Sequence, residues 1–260
     1  MTRKQGRFVS AFLIAGFLAA GITMENSPAE RYENAAAYVG PFASAAHKAS
    51  KSVVGINNYQ EDRLFSAGSG VVVFDQYILT NYHVIEGAQK LTVVFSGKEI
   101  RATVCAYDSG LDAAVLYAKK LNADAALLGD SDMLKVGEWA ICVGNPVSEE
   151  LRTTFTLGIV SALDREIASH ESQDRYGLKI TRINTMIQTD AAINSGSSGG
   201  GLFNVLGQLM GIPTMKYTSS GSTGAPVEGI SLAIPINSAK PLIERAIREK
   251  LTDENLNLGV

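Results

Sequence analysis

Along the 260-residue chain the apolar positions fall into three textures. The first is an uncharged, mostly apolar run over 8–23, preceded by Arg3, Lys4 and Arg7 and broken by Glu25, Asn26, Ser27 and Pro28. A basic start before an apolar stretch of this size is the pattern of an export signal. The run is a little short of the ~20 residues that cross a bilayer comfortably, and no small-x-small cleavage site directly follows it. Residues 1–29 therefore read as either a cleaved signal peptide or an N-terminal membrane anchor. The basic residues keep the N-terminus in the cytoplasm, and the body is expected outside it, as a secreted, periplasmic or anchored extracytoplasmic protein.

The second texture, 30–51, is an Ala-rich leader with Tyr32, Tyr38 and Phe42 at irregular intervals, in which Pro41 opens a short helix ending near Lys51. From Ser52 onward the texture changes to short runs rich in Val, Ile, Thr and Tyr, separated by Gly, Asn, Asp or Ser. Such runs cover 52–58, 70–74, 77–80, 91–95, 100–107 and 113–117. After a looser connection over 122–136 they resume at 138–143, 153–162, 180–188, 208–214 and 229–235. Ser96-Gly97-Lys98 reads as a hairpin turn. Around a dozen short strands with few helical patterns between them predict an all-β sandwich or barrel. Asn237 is expected to cap a C-terminal helix with Ala239, Leu242, Ile243, Ala246 and Ile247 on one face, leaving 252–260 as a tail. The charged segment 164–177 and the Ser/Gly-rich segment 217–228 read as surface loops.

Composition narrows the function classes. Apolar residues at 46% and charged residues at 19% exclude a disordered or coiled-coil chain. Lys+Arg 23 against Asp+Glu 26 gives a net charge of -3, so no basic field exists and nucleic acid is not an expected partner. Cys105 and Cys142 are too few for a disulfide framework and lack zinc-site spacing. Both lie in apolar strand runs, consistent with free thiols. No metal or other cofactor is expected.

The sharpest chemical signal is Asn194-Ser195-Gly196-Ser197-Ser198-Gly199-Gly200-Gly201. Apolar strand-like runs flank it too tightly for a linker. The lysine and following helix of a phosphate loop are missing. The remaining reading is a nucleophile loop, whose glycines let two backbone N–H groups converge beside a serine hydroxyl. A serine needs a base within hydrogen-bond reach. Of three histidines, His47 sits in the leader and His170 in the charged segment, whereas His83 stands where an apolar strand ends, in L-T-N-Y-H-V-I-E-G-A. Asp112, in S-G-L-D-A-A-V-L, enters a buried strand, where a carboxylate is costly unless paired, and a histidine N–H is a natural partner. Asp108 looks instead like a turn residue. The chain order is then His83, Asp112, Ser198, that of chymotrypsin-type barrels.

T-N-Y-H-V-I-E-G, D-S-G-L-D-A-A-V-L, V-G-N-P, G-I-V-S-A-L-D-R and I-Q-T-D-A-A-I-N-S-G-S-S-G-G-G-L together resemble the HtrA/Deg family of trypsin-like serine peptidases. The resemblance covers the protease domain only, expected over 52–251. It implies a chymotrypsin-like double β-barrel with the active site between the barrels. It also implies His83 as general base, Asp112 as orienting acid, Ser198 as nucleophile, and the N–H groups of Gly196 and Ser198 as oxyanion hole. The family usually carries Pro, Asn and Pro where this chain has Ser195, Ser197 and Gly201, which leads to the expectation of a more mobile loop. Better-known members add PDZ domains after the protease. No counterpart is expected here, nor is PDZ-based capture in cis.

The residues expected at the primary substrate pocket are Ala192, Ile212, Thr214 and Ser231. None is charged, so a small or branched aliphatic side chain is the expected preference at the cleavage position. The function expected is hydrolysis of unfolded or exposed polypeptide segments. A weakly active or inactive peptide-binding, chaperone-like protein using the same cleft is the alternative. The N-terminal aromatics suggest a homotrimer, since family members often trimerise through that segment, or simple packing on the chain's own barrel.

Overall fold

The computed structural model describes residues 41–145, 153–173, 179–194, 196–216 and 229–257. The apolar run 8–23, Tyr32, Tyr38 and the segment 217–228 lie outside these. Among the described residues no helix is long and apolar enough to cross a membrane.

Six strands close the first barrel: β1 (Val53–Gln60), β2 (Arg63–Phe74), β3 (Tyr77–Thr80), β4 (Lys90–Phe95), β5 (Lys98–Asp108) and β6 (Ala113–Tyr117). They are joined in the order β1-β2-β3-β6-β5-β4. Runs such as Val71-Val72 and Ile78-Leu79 are apolar at consecutive positions because both faces of these strands are covered. Val54, Ile56, Val72, Ile78, Ala114 and Leu116 point to the barrel interior. Their neighbours Val53, Val71, Leu79 and Val115 point outward into a second cluster shared with the rest of the protein. The period-two geometry of a strand sends alternate residues to two cores.

The second barrel uses β8 (Trp139–Gly144), β9 (Thr154–Gln173), β10 (Lys179–Thr189), β11 (Gly201–Phe203), β12 (Gln208–Lys216) and β13 (Ser231–Pro235). The order is β11-β8-β9-β10-β13-β12, and pairing of β11 with β12 closes the ring; β7 (Leu127–Leu128) adds to β12 in parallel. Its interior holds Cys142, Val160, Ile187, Leu202 and Met210. Ile141, Met186, Phe203, Leu209, Ile212 and Leu232 face the shared cluster, which also takes Ala45 and Ala49 of α1 (Pro41–Ser50) and Ala239, Leu242, Ile243 and Ala246 of α3 (Ile236–Asn257). Each fully buried side chain of this size contributes roughly 1.5–3 kcal/mol, so the shared cluster is what binds barrel to barrel.

Three expectations change. The charged segment 164–177 is mostly ladder: β9 pairs with β10 as far as Gln173 opposite Lys179. Hydrogen-bonded backbone needs no apolar alternation, so nothing in the composition marks this arm as strand. The strand β7, two residues long within the looser connection 122–136, carries too few positions for any pattern. Finally, α3 starts at Ile236 and continues through Asn257, into most of the expected tail. Asn237 does not cap its own first turn. Its Nδ2 donates to Asp130 Oδ1 at 2.6 Å and its backbone N–H to Ser131 Oγ at 3.2 Å, tying the helix to the short 3-10 turn Ser131–Met133.

Candidate active site

Asp112 ends the turn between β5 and β6 with φ +57, a left-handed backbone that a non-glycine residue adopts only when its surroundings hold it there. Its carbonyl accepts from Asn81 Nδ2 at 2.9 Å and from the Tyr82 N–H at 3.2 Å. These contacts turn the carboxylate toward the end of β3, where the one-turn helix α2 (Tyr82–Ile85) begins. Asn58 of β1 steadies α2 by donating to the carbonyls of Val84 at 3.1 Å and Glu86 at 3.0 Å.

His83 is the second residue of α2. Its backbone N–H donates to Asp112 Oδ1 at 2.9 Å, and its ring Nδ1 lies 2.8 Å from Oδ2 and 3.1 Å from Oδ1. An ionised carboxylate only accepts, so Nδ1 carries the proton and a neutral ring keeps its lone pair at Nε2. The His83 side chain is half exposed while that of Asp112 is largely covered. Thr214 of β12, reaching from the second barrel, donates its hydroxyl to Asp112 Oδ2.

The glycine-rich turn docks against the same corner. The Ser198 carbonyl accepts from the Ser69 N–H of β2 at 2.8 Å. At Gly68 a Cβ would meet both the Val84 methyls, at 2.8 and 2.9 Å, and the Ser198 carbonyl, at 3.1 Å, so Ser198 and the residue after His83 share one contact point. Gly199, with φ +81, is seated so tightly that a Cβ would stand 2.3 Å from the Ser69 carbonyl and from Thr80 Oγ1, and 3.1 Å from the Asn81 nitrogen. Ser69 Oγ donates to the Gly196 carbonyl and accepts from the Asn145 N–H at 2.7 Å. Within the turn the N–H groups of Ser197, Gly199 and Gly200 are taken by the carbonyls of Asn194, Pro213 and Ser197 at 2.9, 3.0 and 3.0 Å. Among the described residues the N–H groups of Gly196 and Ser198 donate to no backbone carbonyl.

Ser195 lies outside the described residues. At the other two positions of altered sequence the backbone is well held. Ser197 is buried and bonded on both sides of its peptide. Gly201 pairs with Val143 in β11, and the Phe203 ring fills the space a side chain would need, 2.2 Å from a Cβ. Nothing at these two positions supports the expected mobility.

Of the pocket residues, Ala192 is exposed and its carbonyl accepts from Thr156 Oγ1 at 2.8 Å. Ile212 is fully buried in the shared core and Ser231 is buried on β13. Thr214 commits its hydroxyl to Asp112, a contact that a reading of it as pocket lining does not anticipate. His47 is exposed on α1 and His170 lies on β9, both in elements apart from the His83–Asp112 pair. Ser69, Asn81 and Asn58 carry the site without standing out in the sequence, because their partners lie 127, 31 and 26 residues away.

Comparison with known proteins agrees with this geometry. The trypsin-like peptidase domain family matches residues 68–212. A protein described as "Serine protease Do-like HtrA" from Lactococcus lactis subsp. lactis is 38% identical over 232 residues, covering 78% of this chain and 56% of that one. One described as "Probable periplasmic serine endoprotease DegP-like" from Chlamydia pneumoniae is 40% identical over 184 residues, covering 70% of this chain and 34% of the other. The crystal structure of a serine endoprotease from Yersinia pestis superposes with a TM-score of 0.62 at 33% identity, covering 80% of this chain and 67% of that one. The chain spans about half the length of the curated relatives it matches, or less. By its two barrels and by these similarities, the chain belongs to the trypsin-like peptidase domain family and is HtrA-like within it.

Proposed function

We propose that the protein is a serine endopeptidase acting on unfolded or exposed polypeptide segments outside the cytoplasm. The observation that carries this reading is the pairing of His83 with Asp112 at 2.8 Å, beside the turn that bears Ser198. In the reaction, Ser198 Oγ attacks the scissile carbonyl carbon while His83 Nε2 removes its proton. The negative charge that develops on the carbonyl oxygen is received by the N–H groups of Gly196 and Ser198. His83, now an imidazolium held by Asp112, gives its proton to the leaving amine. A water molecule, deprotonated by His83, then hydrolyses the acyl-enzyme and restores Ser198. Ala192, Thr214 and Ser231 would border the primary pocket, and the absence of charge among them favours small or branched aliphatic side chains, whereas Ile212, fully buried in the shared core, would not reach a substrate.

The extracytoplasmic setting draws support from the basic-then-apolar start of the chain and from the periplasmic relative. Attachment to the membrane through the run 8–23 is the alternative to its cleavage. A homotrimer is also part of this reading. Phe42 meets Trp139 edge-on, with ring centroids 5.1 Å apart, and Trp139, Phe155 and Leu157 expose 49%, 39% and 47% of their surface. Phe42, Phe155 and Leu157 border an apolar hollow of about 220 Å3, a surface suited to a second subunit.

Incubation with unfolded casein tests the function. The wild type should cleave it and Ser198→Ala should not. Retained binding with equal absence of cleavage in both proteins would favour a peptide-binding role instead.

A further inference from the structure

Asn184 lies on β10 of the second barrel and is buried. A buried carboxamide on a strand is a costly choice: asparagine is disfavoured in strands, and its polar atoms must be satisfied or desolvated at a loss. A valine or leucine would serve the strand better. Part of the expense is offset by a contact between the barrels. Asn184 Nδ2 donates to the Gly110 carbonyl at 2.6 Å, across 74 residues of chain and from one barrel to the other.

Gly110 sits two residues before Asp112, inside the turn that orients the triad carboxylate. Within the turn the Leu111 N–H donates to Asp108 Oδ1 at 3.0 Å and the Asp112 N–H to the Ser109 carbonyl at 3.3 Å. This turn must hold Asp112 at φ +57. The first barrel grips the turn at the Asp112 carbonyl through Asn81 and Tyr82. The second barrel grips it at the carboxylate through Thr214 and at Gly110 through Asn184. Of these, Asn184 grips a backbone carbonyl two residues before Asp112, and so acts on the path of the turn.

We propose that Asn184 is a positioning residue for the triad: its amide clamps the Gly110 carbonyl and so fixes the direction from which Asp112 meets His83. The proposal rests on the peptidase reading above for its effect on rate, but not for its effect on geometry. Misplacement of a catalytic group by about 1 Å costs on the order of 10²-fold in rate. Loosening one of several tethers should therefore cost less, roughly 5–30-fold in kcat, with KM within about twofold because no substrate contact is lost.

The test uses the full chain and two readouts. The proton on His83 Nδ1, hydrogen-bonded to Asp112, is expected as a far-downfield resonance in proton NMR of the wild type. In Asn184→Ala it should move upfield or broaden away, alongside the fall in kcat, while neighbouring Thr185→Ala keeps the wild-type spectrum and rate. Asn184→Ser, which retains a donor on a shorter arm, should give a smaller change of the same sign and serves if the alanine variant does not fold. A wild-type resonance in whichever variant folds, with kcat unchanged, overturns the proposal even if the melting temperature falls. The spectrum needs no turnover, so a protein without peptidase activity would fail the functional reading while the resonance still decides the role of Asn184.

Discussion

Asp112 Oδ2 has two partners, the His83 ring nitrogen at 2.8 Å and the Thr214 hydroxyl. One comes from each barrel, so the carboxylate is a point at which the two halves of the protein meet. Oδ1 is occupied by the His83 backbone N–H at 2.9 Å. With its oxygens engaged, the carboxylate has little freedom to turn, and the imidazole that faces it inherits that restraint.

Replacing Thr214 by valine keeps the shape and removes the donor. A hydrogen bond to an ionised group contributes about 1.5–3 kcal/mol, so kcat should fall roughly 10–100-fold if that energy is felt mainly in the transition state. Thr214→Ser should stay near wild type. Steady-state kinetics on a peptide substrate separate this role from pocket lining, which would raise KM and leave kcat alone.

Ser69 joins the two barrels at the serine turn, bonding the Gly196 carbonyl and the Asn145 N–H through one hydroxyl. Ser69→Ala leaves these buried backbone groups without their partner, at a cost of about 1–3 kcal/mol in urea-unfolding stability. It also frees the peptide beside the oxyanion donors, so kcat should fall at least about tenfold. Loss of stability with undiminished kcat would restrict Ser69 to a structural part.

Gly201 stands where the related proteases usually carry proline. Here a Cβ would stand 2.2 Å from the Phe203 ring and 2.9 Å from Leu209 Cδ1. Gly201→Pro should therefore destabilise by about 1–3 kcal/mol through overpacking, seen as a lower melting temperature. A rise in melting temperature would show that the aromatic ring is not what excludes a side chain.

Burial pushes the Cys142 thiol up to about 12, Cys105 is half-buried in the other barrel, and neither is in a disulfide. Only the thiolate reacts. At pH 8 Cys142 should resist iodoacetamide in the native protein and react once the chain is unfolded, with Cys105 labelled first. Mass spectrometry of labelled peptides checks the order.

Much of the barrel core was legible because strands buried on both faces write themselves as near-continuous apolar runs: 77–80 and 113–117 coincide with β3 and β6. The arm of β9 beyond Ala162 was not, since a backbone ladder leaves no apolar signature. His83 and Asp112 stood out locally, as a base and an acid at strand ends where neither is needed for packing. Ser69, Asn184 and the orientation of the Thr214 hydroxyl did not. Each acts on a residue 74 or more positions away, and only the closed fold brings those partners into reach.

The central claim is that His83, paired with Asp112, makes the Ser198 hydroxyl reactive. A fluorophosphonate probe, located by peptide mapping, measures this without knowledge of the substrate. The account predicts a label on Ser198 in the wild type, absent in Ser198→Ala and reduced by at least about 10²-fold in rate in His83→Ala. No label in the folded wild type, or a label on Ser198 that forms equally fast without His83, would contradict it.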